Sequence, residues 1–308
     1  MTINGAVRPK QMGKTLIHEH MLVDFIGADK IRFDRWNRDD VVKIVLPFLQ
    51  EAEKQGVRTI LDCTPAFLGR DVRLLQSLSL KSGLQILTNT GYYGAVNNKY
   101  LPAWAFSETA EQLANRWTAE FEKGIDGTQI RPGFIKIGVN PGPLSELHRK
   151  LIHAAGLTHL RTGLTICSHT GPATAAFEEI EELQHLGVHP SAFVWVHAQS
   201  ESNKNFYTKA AQLGAWVSLD GMGWGDWENY AMWLDLLKSN HLLHRVLISH
   251  DAGWYKPGEA DGAKFVGFTA IFEKLAPLLY QKRFSKTDFD RLLIHNPAEA
   301  FTIRVRKG

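Results

Sequence analysis

Cysteine is scarce. The chain of 308 residues carries two, Cys63 and Cys167. Two thiols make no disulfide framework, and both lie in strand-like apolar segments where small buried hydrophobes fit, as in a reducing compartment. Long apolar runs are missing as well. None approaches the ~18–20 residues that a membrane-spanning helix needs. An excess of one charge is also absent. The formal net charge is +3, and Lys and Arg are scattered along the chain. That leaves no basic stripe for nucleic acid and no polybasic patch for a membrane. The first residues, "MTINGAVRPK", lack an apolar leader region, which gives a cytoplasmic expectation, although a leader removed upstream would leave no trace. No low-complexity stretch or long linker interrupts the chain, and 44% of its residues are hydrophobic. One large domain over 1–308 is expected.

What is present is a rhythm. Short apolar segments alternate with amphipathic helical ones. The strand candidates are "TLIHEH" (15–20), "VRTILDCT" (57–64), "LQILTNTG" (84–91), "GFIKIGV" (133–139), "LTICSHTG" (164–171), "AFVWVHA" (192–198), "AWVSLD" (215–220) and "RVLISHDAG" (245–253). Helical stretches such as "ETAEQLANRWTAEFEKG" lie between them, and several end in Gly, a common helix stop. Strand–helix alternation implies a parallel sheet, and eight such units fit a (β/α)₈ TIM barrel. The competitor is an open doubly wound sheet. It often carries a Gly-rich phosphate turn after its first strand, which this chain lacks.

In "TLIHEHMLVD", His18 and His20 stand two residues apart. Strand side chains alternate, so both imidazoles point to one side and could share an ion. Two strand-end histidines bonded to backbone are the plainer alternative. The other segments weigh on the choice. His169 closes the fifth strand candidate, His197 the sixth and Asp251 the eighth, while Lys136 lies inside the fourth. In a barrel these ends share one rim, where chemistry gathers. Four of the 13 histidines fall at such ends; His148, His153, His159, His185, His189, His241, His244 and His295 fall in helices or loops and read as surface or capping residues.

Imidazole and carboxylate donors suit a borderline cation such as Zn²⁺. A two-metal site, with ions ~3.5–4 Å apart, needs a bridge and further ligands, and the water it holds is acidic near neutral pH. Asp251 could both hold a metal and accept a proton from that water. Lys136 has three readings: an ion pair with a carboxylate, a Schiff-base lysine, or a lysine carbamylated by CO₂ into a bridging carboxylate. Only the last accounts for a lysine among metal donors, because a free ammonium repels cations.

The order "GKTLIHEH", "IRPGFIKIGVN", "CSHTG", "VLISHDAG", "NPAEAF" resembles the amidohydrolase superfamily. More narrowly it resembles the phosphotriesterase family, with its phosphotriesterases and lactonases, over nearly the whole chain. The resemblance implies a metal-dependent hydrolase of ester bonds. His18, His20 and Asp251 would hold the more buried metal, and His169 and His197 the more exposed one. Carboxylated Lys136 would bridge them. A bridging hydroxide would attack an ester carbonyl or phosphoryl centre while Asp251 takes the proton.

Tyr93, in "TNTGYYGAVNNKY", falls where family lactonases carry a tyrosine beside the lactone oxygen; ordinary loop packing is the alternative for Tyr92 and Tyr93. Trp224, Trp227 and Trp254, in loops after the seventh and eighth strands, could line a pocket mouth, or pack against flanking helices as Trp233 is expected to do. Lys256 could meet an anionic substrate, or be solvated. Ser200 and Gly221 stand where phosphotriesterases proper carry Asp and His, and Gly221 where lactonases often carry Arg. A small-molecule lactone or other carboxylic ester is therefore the expected substrate. Phosphotriester hydrolysis, a non-catalytic ligand-binding barrel and a Lys136-dependent lyase are the rivals. A homodimer is compatible with the family.

Overall fold

The computed structural model describes all 308 residues. The strands are β1 (Lys14–Leu22), β2 (Val57–Asp62), β3 (Gln85–Leu87), β4 (Asn89–Thr90), β5 (Phe134–Gly138), β6 (Ile166–His169), β7 (Phe193–Val196), β8 (Trp216–Leu219), β9 (Val246–Ile248) and β10 (Ala252–Tyr255). Every pairing between them is parallel. The pairing runs β10-β1-β2-β3 and β4-β5-β6-β7-β8-β9. β3 and β4 are two parts of one extended segment interrupted at Thr88, and β9 and β10 flank residues 249–251. The first part of each segment pairs on one side and the second part on the other. The two sheets therefore join into the ring of a (β/α)₈ TIM barrel.

The connecting helices start where the sequence supplies caps. Asn37 accepts from the Asp39 and Asp40 amides at the head of α1 (Arg38–Lys54), and Asp71 does the same for α2 (Val72–Ser82). After the short α3 (Ala103–Ser107), Thr109 and Gln112 form a capping box on α4 (Ala110–Lys123), and Ser145 caps α5 (Glu146–Thr162). Later helices are α6 (Ala173–His185), α7 (Asn205–Leu213) and α8 (Trp227–Ser239), followed by short helices through Ala300. No helix is long and apolar enough to cross a membrane.

A cluster of 70 buried residues packs the helices on the barrel wall, and a separate cluster of 13, with Phe134, Cys167, Val194, Trp216 and Leu247, fills the barrel interior. Cys63 and Cys167 are free thiols in that inner layer. Their predicted role as small buried hydrophobes matches this packing. Two of the helix-borne histidines differ from the surface reading. His148 and His159 are 2% and 0% exposed. His148 bonds the Gly94 carbonyl, and His159 joins the Leu164 carbonyl to the Arg306 amide. Each ring satisfies loop backbone that would otherwise be buried unpaired.

Strand β1 departs from simple alternation. Its register with β2 shifts between Leu16 and Glu19: Leu16 pairs with Ile60, and Glu19 with Asp62. One extra residue fits into β1, a β-bulge. Consecutive side chains thereby turn inward: Ile17 enters the inner cluster, and His18 reaches the Lys136 ammonium.

Candidate active site

The rim formed by the strand ends brings the six sequence-read donors together. His18, His20, Lys136, His169, His197 and Asp251 line one pocket, with Tyr93 and Trp254 at its side. Lys136 Nζ lies 3.4 Å from His18 Nε2. Asp251 Oδ1 lies 3.5 Å from His18 Nε2 and 3.2 Å from His20 Nε2. The His18 and His197 rings are 5.0 Å apart, and the His197 and His169 rings 4.5 Å. Donor atoms of His18, His197 and Asp251 all fall within 4.8 Å of one another.

Outer partners set the orientation of these rings. His20 Nδ1 donates to Thr64 Oγ1 at 2.8 Å, and that hydroxyl donates onward to the Leu22 carbonyl. His197 Nδ1 donates to Asp220 Oδ1 at 2.7 Å, and His18 Nδ1 faces Asp220 Oδ2 at 3.3 Å. With each Nδ1 hydrogen directed outward, each Nε2 presents a lone pair to the pocket. The His20 lone pair then meets a carboxylate oxygen at 3.2 Å. Two acceptors at that separation repel unless a cation or proton lies between them. The donor set thus fits a divalent ion: neutral imidazoles, a carboxylate, and ring tautomers fixed from behind.

Ionisation follows the same pattern. Burial, reinforced by the Lys136 charge, pushes the His18 imidazole down to about 3. Burial also holds His169 well below the usual range, with His197 adding to it. Burial opposes the charge on His197, but Asp220 outweighs it, and the net shift is upward. Burial likewise works against the charge on Asp251, yet the neighbouring His20, His197 and His18 imidazoles hold its carboxyl below the usual carboxylate range. Asp220 is held lower still by His197 and His18, against the cost of burial.

Three residues that line the pocket bear unusual backbone. His197 has φ 60°, Asp251 φ 51° and Trp254 φ 74°, all at positive φ. Such conformations persist where the surroundings over-determine them, and they cluster at functional sites. Gly253 lets the chain close at this point. Its φ is 103°, and a Cβ there would stand 1.9 Å from the His20 carbonyl.

Glu19 explains the middle of "HEH". It points away from the pocket and is fully buried. Its carboxylate accepts from Ser249 Oγ at 2.8 Å, His250 N at 3.1 Å, His250 Nδ1 at 2.8 Å and Ala252 N at 3.0 Å. The residues on both sides of Asp251 are tied to β1 by this one side chain. The sequence reading missed His250 altogether. Asp220, the carboxylate that ends the seventh strand candidate, is the shared acceptor beneath His18 and His197. That strand-end position was the available signal for it.

Other predicted positions fall elsewhere. Trp224 does not line the pocket; its indole N–H donates to the Asp251 carbonyl at 2.8 Å. Trp227 donates to the Met222 carbonyl and packs on the core, as does Trp233. Lys256 is outside the pocket, 3.9 Å from Glu259. Ser200 is exposed and donates its amide to the His197 carbonyl. At Gly221 a Cβ would lie 2.6 Å from the Tyr230 hydroxyl and 2.8 Å from Gln199 Nε2. Both atoms are the far ends of side chains, so a larger residue at 221 would have to displace them.

Known proteins are similar to this chain. A phosphotriesterase homology protein from Escherichia coli is 31% identical over 294 residues, covering 94% of this chain and 98% of that protein. A crystal structure of that E. coli protein with phosphate in its active site superposes with a TM-score of 0.82 at 28% identity, covering 95% of this chain and 99% of the other. An aryldialkylphosphatase from Saccharolobus solfataricus is 26% identical, with 96% and 97% of the two chains covered. A phospho-furanose lactonase from Mycoplasmopsis agalactiae is also 26% identical, with 97% and 90% covered. The family profile described as "Phosphotriesterase family" matches residues 1–301, and the chain belongs to that family, within the amidohydrolase superfamily.

Proposed function

We propose that this phosphotriesterase-family hydrolase opens a neutral lactone, or a carboxylic ester of similar size, at a two-metal centre. The observation that carries the reading is the approach of His20 Nε2 to Asp251 Oδ1 at 3.2 Å, with the His20 Nδ1 hydrogen already committed to Thr64. That pair wants a cation. His18, His20 and Asp251 would hold one ion, and His169 and His197 the second. Lys136, carboxylated by CO₂, would bridge them as an anion instead of opposing them as an ammonium. When bound, the two ions, Zn²⁺ for this donor set, supply an acidified water and polarise the oxygen of the bond under attack.

The chain's own residues supply the rest. Asp251, held anionic by its imidazole neighbours, accepts the proton given up by the attacking water. Tyr93 is 9% exposed, and burial, with Asp251 adding to it, keeps its phenol protonated. Its hydroxyl is a neutral donor for the substrate. Val23, Phe25, Pro65, Leu68 and Trp254 complete the pocket wall. Apart from the donor set, that wall carries no cation. A neutral substrate suits that wall better than a phosphorylated or sulfonated one, which would have only the metal centre as counter-charge.

Phosphotriester hydrolysis is the second reading, favoured by the aryldialkylphosphatase relative. Gly221 weighs against it, because it offers no side chain to relay the proton outward. A panel of γ- and δ-lactones, sugar lactones, phosphorylated lactones and aryl phosphotriesters, assayed with metal-loaded protein, tests the ranking. Neutral lactones or esters are expected to give the highest kcat/KM. Fast phosphotriester turnover with every lactone inert would overturn it.

A further inference from the structure

Asp251 is held in its left-handed conformation, φ 51°, from several directions. Its amide donates to the His18 carbonyl at 3.0 Å. Its own carbonyl receives two indole N–H groups at once: Trp224 Nε1 at 2.8 Å and Trp254 Nε1 at 2.9 Å. The two rings meet edge to face, 5.6 Å between centroids and 80° between planes. They come from different elements, one from the loop after β8 and one from strand β10. The β8 loop lies along the aspartate segment in step. Met222 N donates to the Ser249 carbonyl at 3.3 Å, Gly223 N to the His250 carbonyl at 2.9 Å, and Trp224 Nε1 to Asp251. Three consecutive residues thus bond three consecutive carbonyls. A Cβ at position 223 would stand 2.8 Å from the His250 carbonyl, so the approach needs glycine.

Trp224 is 58% exposed. An indole left mostly in water gains little from burial, and this one does not line the pocket. Its polar edge is the part in use. Backbone strain at a reactive residue lasts only while neighbours enforce it.

We propose that Trp224 and Trp254 are positioning residues that act through the Asp251 carbonyl: their paired indole N–H groups hold Asp251 in its left-handed geometry and so aim its carboxylate at the pocket. The proposal rests on the reading of Asp251 as metal donor and proton acceptor. Trp224→Phe keeps an aromatic ring and deletes the N–H, whereas Trp224→Ala deletes both. Because Trp224 is exposed, both variants are expected to fold, and thermal midpoints check this.

The experiment measures kcat and KM for the best neutral substrate and, separately, the rate at which a chelator strips Zn²⁺ from loaded protein. Trp224→Phe is expected to lower kcat by about threefold to tenfold, the worth of one hydrogen bond, with KM within about twofold of wild type. Metal loss should quicken by a similar factor. Trp224→Ala should match Trp224→Phe, and adding Trp254→Phe should deepen both effects. The proposal is overturned if Trp224→Phe leaves kcat and metal loss unchanged. It is equally overturned if Trp224→Ala raises KM while Trp224→Phe does not, since the ring would then be a substrate surface. Should wild type hydrolyse no ester or lactone, the proposed function falls, and the metal-loss rates still decide this inference.

Discussion

Asp220 and His197 form a buried pair: Asp220 Oδ1 accepts the His197 Nδ1 hydrogen at 2.7 Å, and the carboxylate is wholly shielded from solvent. The same carboxylate also faces His18 Nδ1 and accepts from Ser218 Oγ at 2.6 Å and Gln199 Nε2 at 3.0 Å. One side chain therefore sets the tautomer of a ring from each half of the donor set. Asp220→Asn keeps the shape and removes the charge. It is expected to weaken metal binding by about 10–100-fold, measured by competition with a chromophoric chelator. Unchanged affinity would show that the tautomers are fixed without Asp220.

Lys136 is 1% exposed, among His18, Cys63 and Cys167. If it carries a carbamate, apo protein reconstituted with Zn²⁺ and ¹³C-bicarbonate should show one slowly exchanging carbamate carbon signal. Lys136→Ala should lack the signal and lose most bound metal. Full metal loading of wild type in CO₂-free buffer, with no carbon signal after bicarbonate, would leave Lys136 as a plain amine.

Glu19 joins β1 to the Asp251 segment through four hydrogen bonds. Glu19→Ala strands these buried donors. A loss of about 3–5 kcal/mol in unfolding free energy is expected, read from denaturant titration. A loss below about 1 kcal/mol would mean that water replaces the carboxylate.

Glu179 offers a test by pH. Burial pushes its carboxyl from 4.5 to about 8, against the Ser168 and Thr170 hydroxyls that meet it at 2.5 Å. A carboxyl raised in the fold holds its proton more tightly there than in the unfolded chain. Its stabilising contribution is therefore full below about 4.5 and is lost as pH rises through about 8. Glu179→Gln keeps partners for both hydroxyls and removes the titration. The variant's unfolding free energy should fall less between these limits than that of wild type, by a few kcal/mol at most. Parallel curves would contradict the assignment.

Much of the site was readable because strand ends are readable. His18, His20, His169, His197 and Asp251 each close or nearly close an apolar segment, and a parallel barrel gathers such ends on one rim. Glu19 was harder to place. Alternation turned it away from the histidines, but its partners are more than 200 residues onward, at Ser249, His250 and Ala252. The bulge that turns both Ile17 and His18 inward leaves no mark in residue type. Trp224 looked like a pocket aromatic because its ring is apolar. Its single N–H, and a carbonyl on another loop, place it instead. His148 and His159 looked like helix-surface residues because helix position does not reveal which loop carbonyl lies opposite.

The central claim is that these six side chains enclose a pair of cations. Crystals of Zn²⁺-reconstituted protein, measured on both sides of the zinc absorption edge, test it most directly. The account predicts two anomalous peaks about 3.5–4 Å apart, one against His18, His20 and Asp251, the other against His169 and His197, with continuous density from Lys136 between them. A pocket without peaks at full Zn²⁺ occupancy elsewhere, and a bare Lys136 amine still against His18, would contradict it.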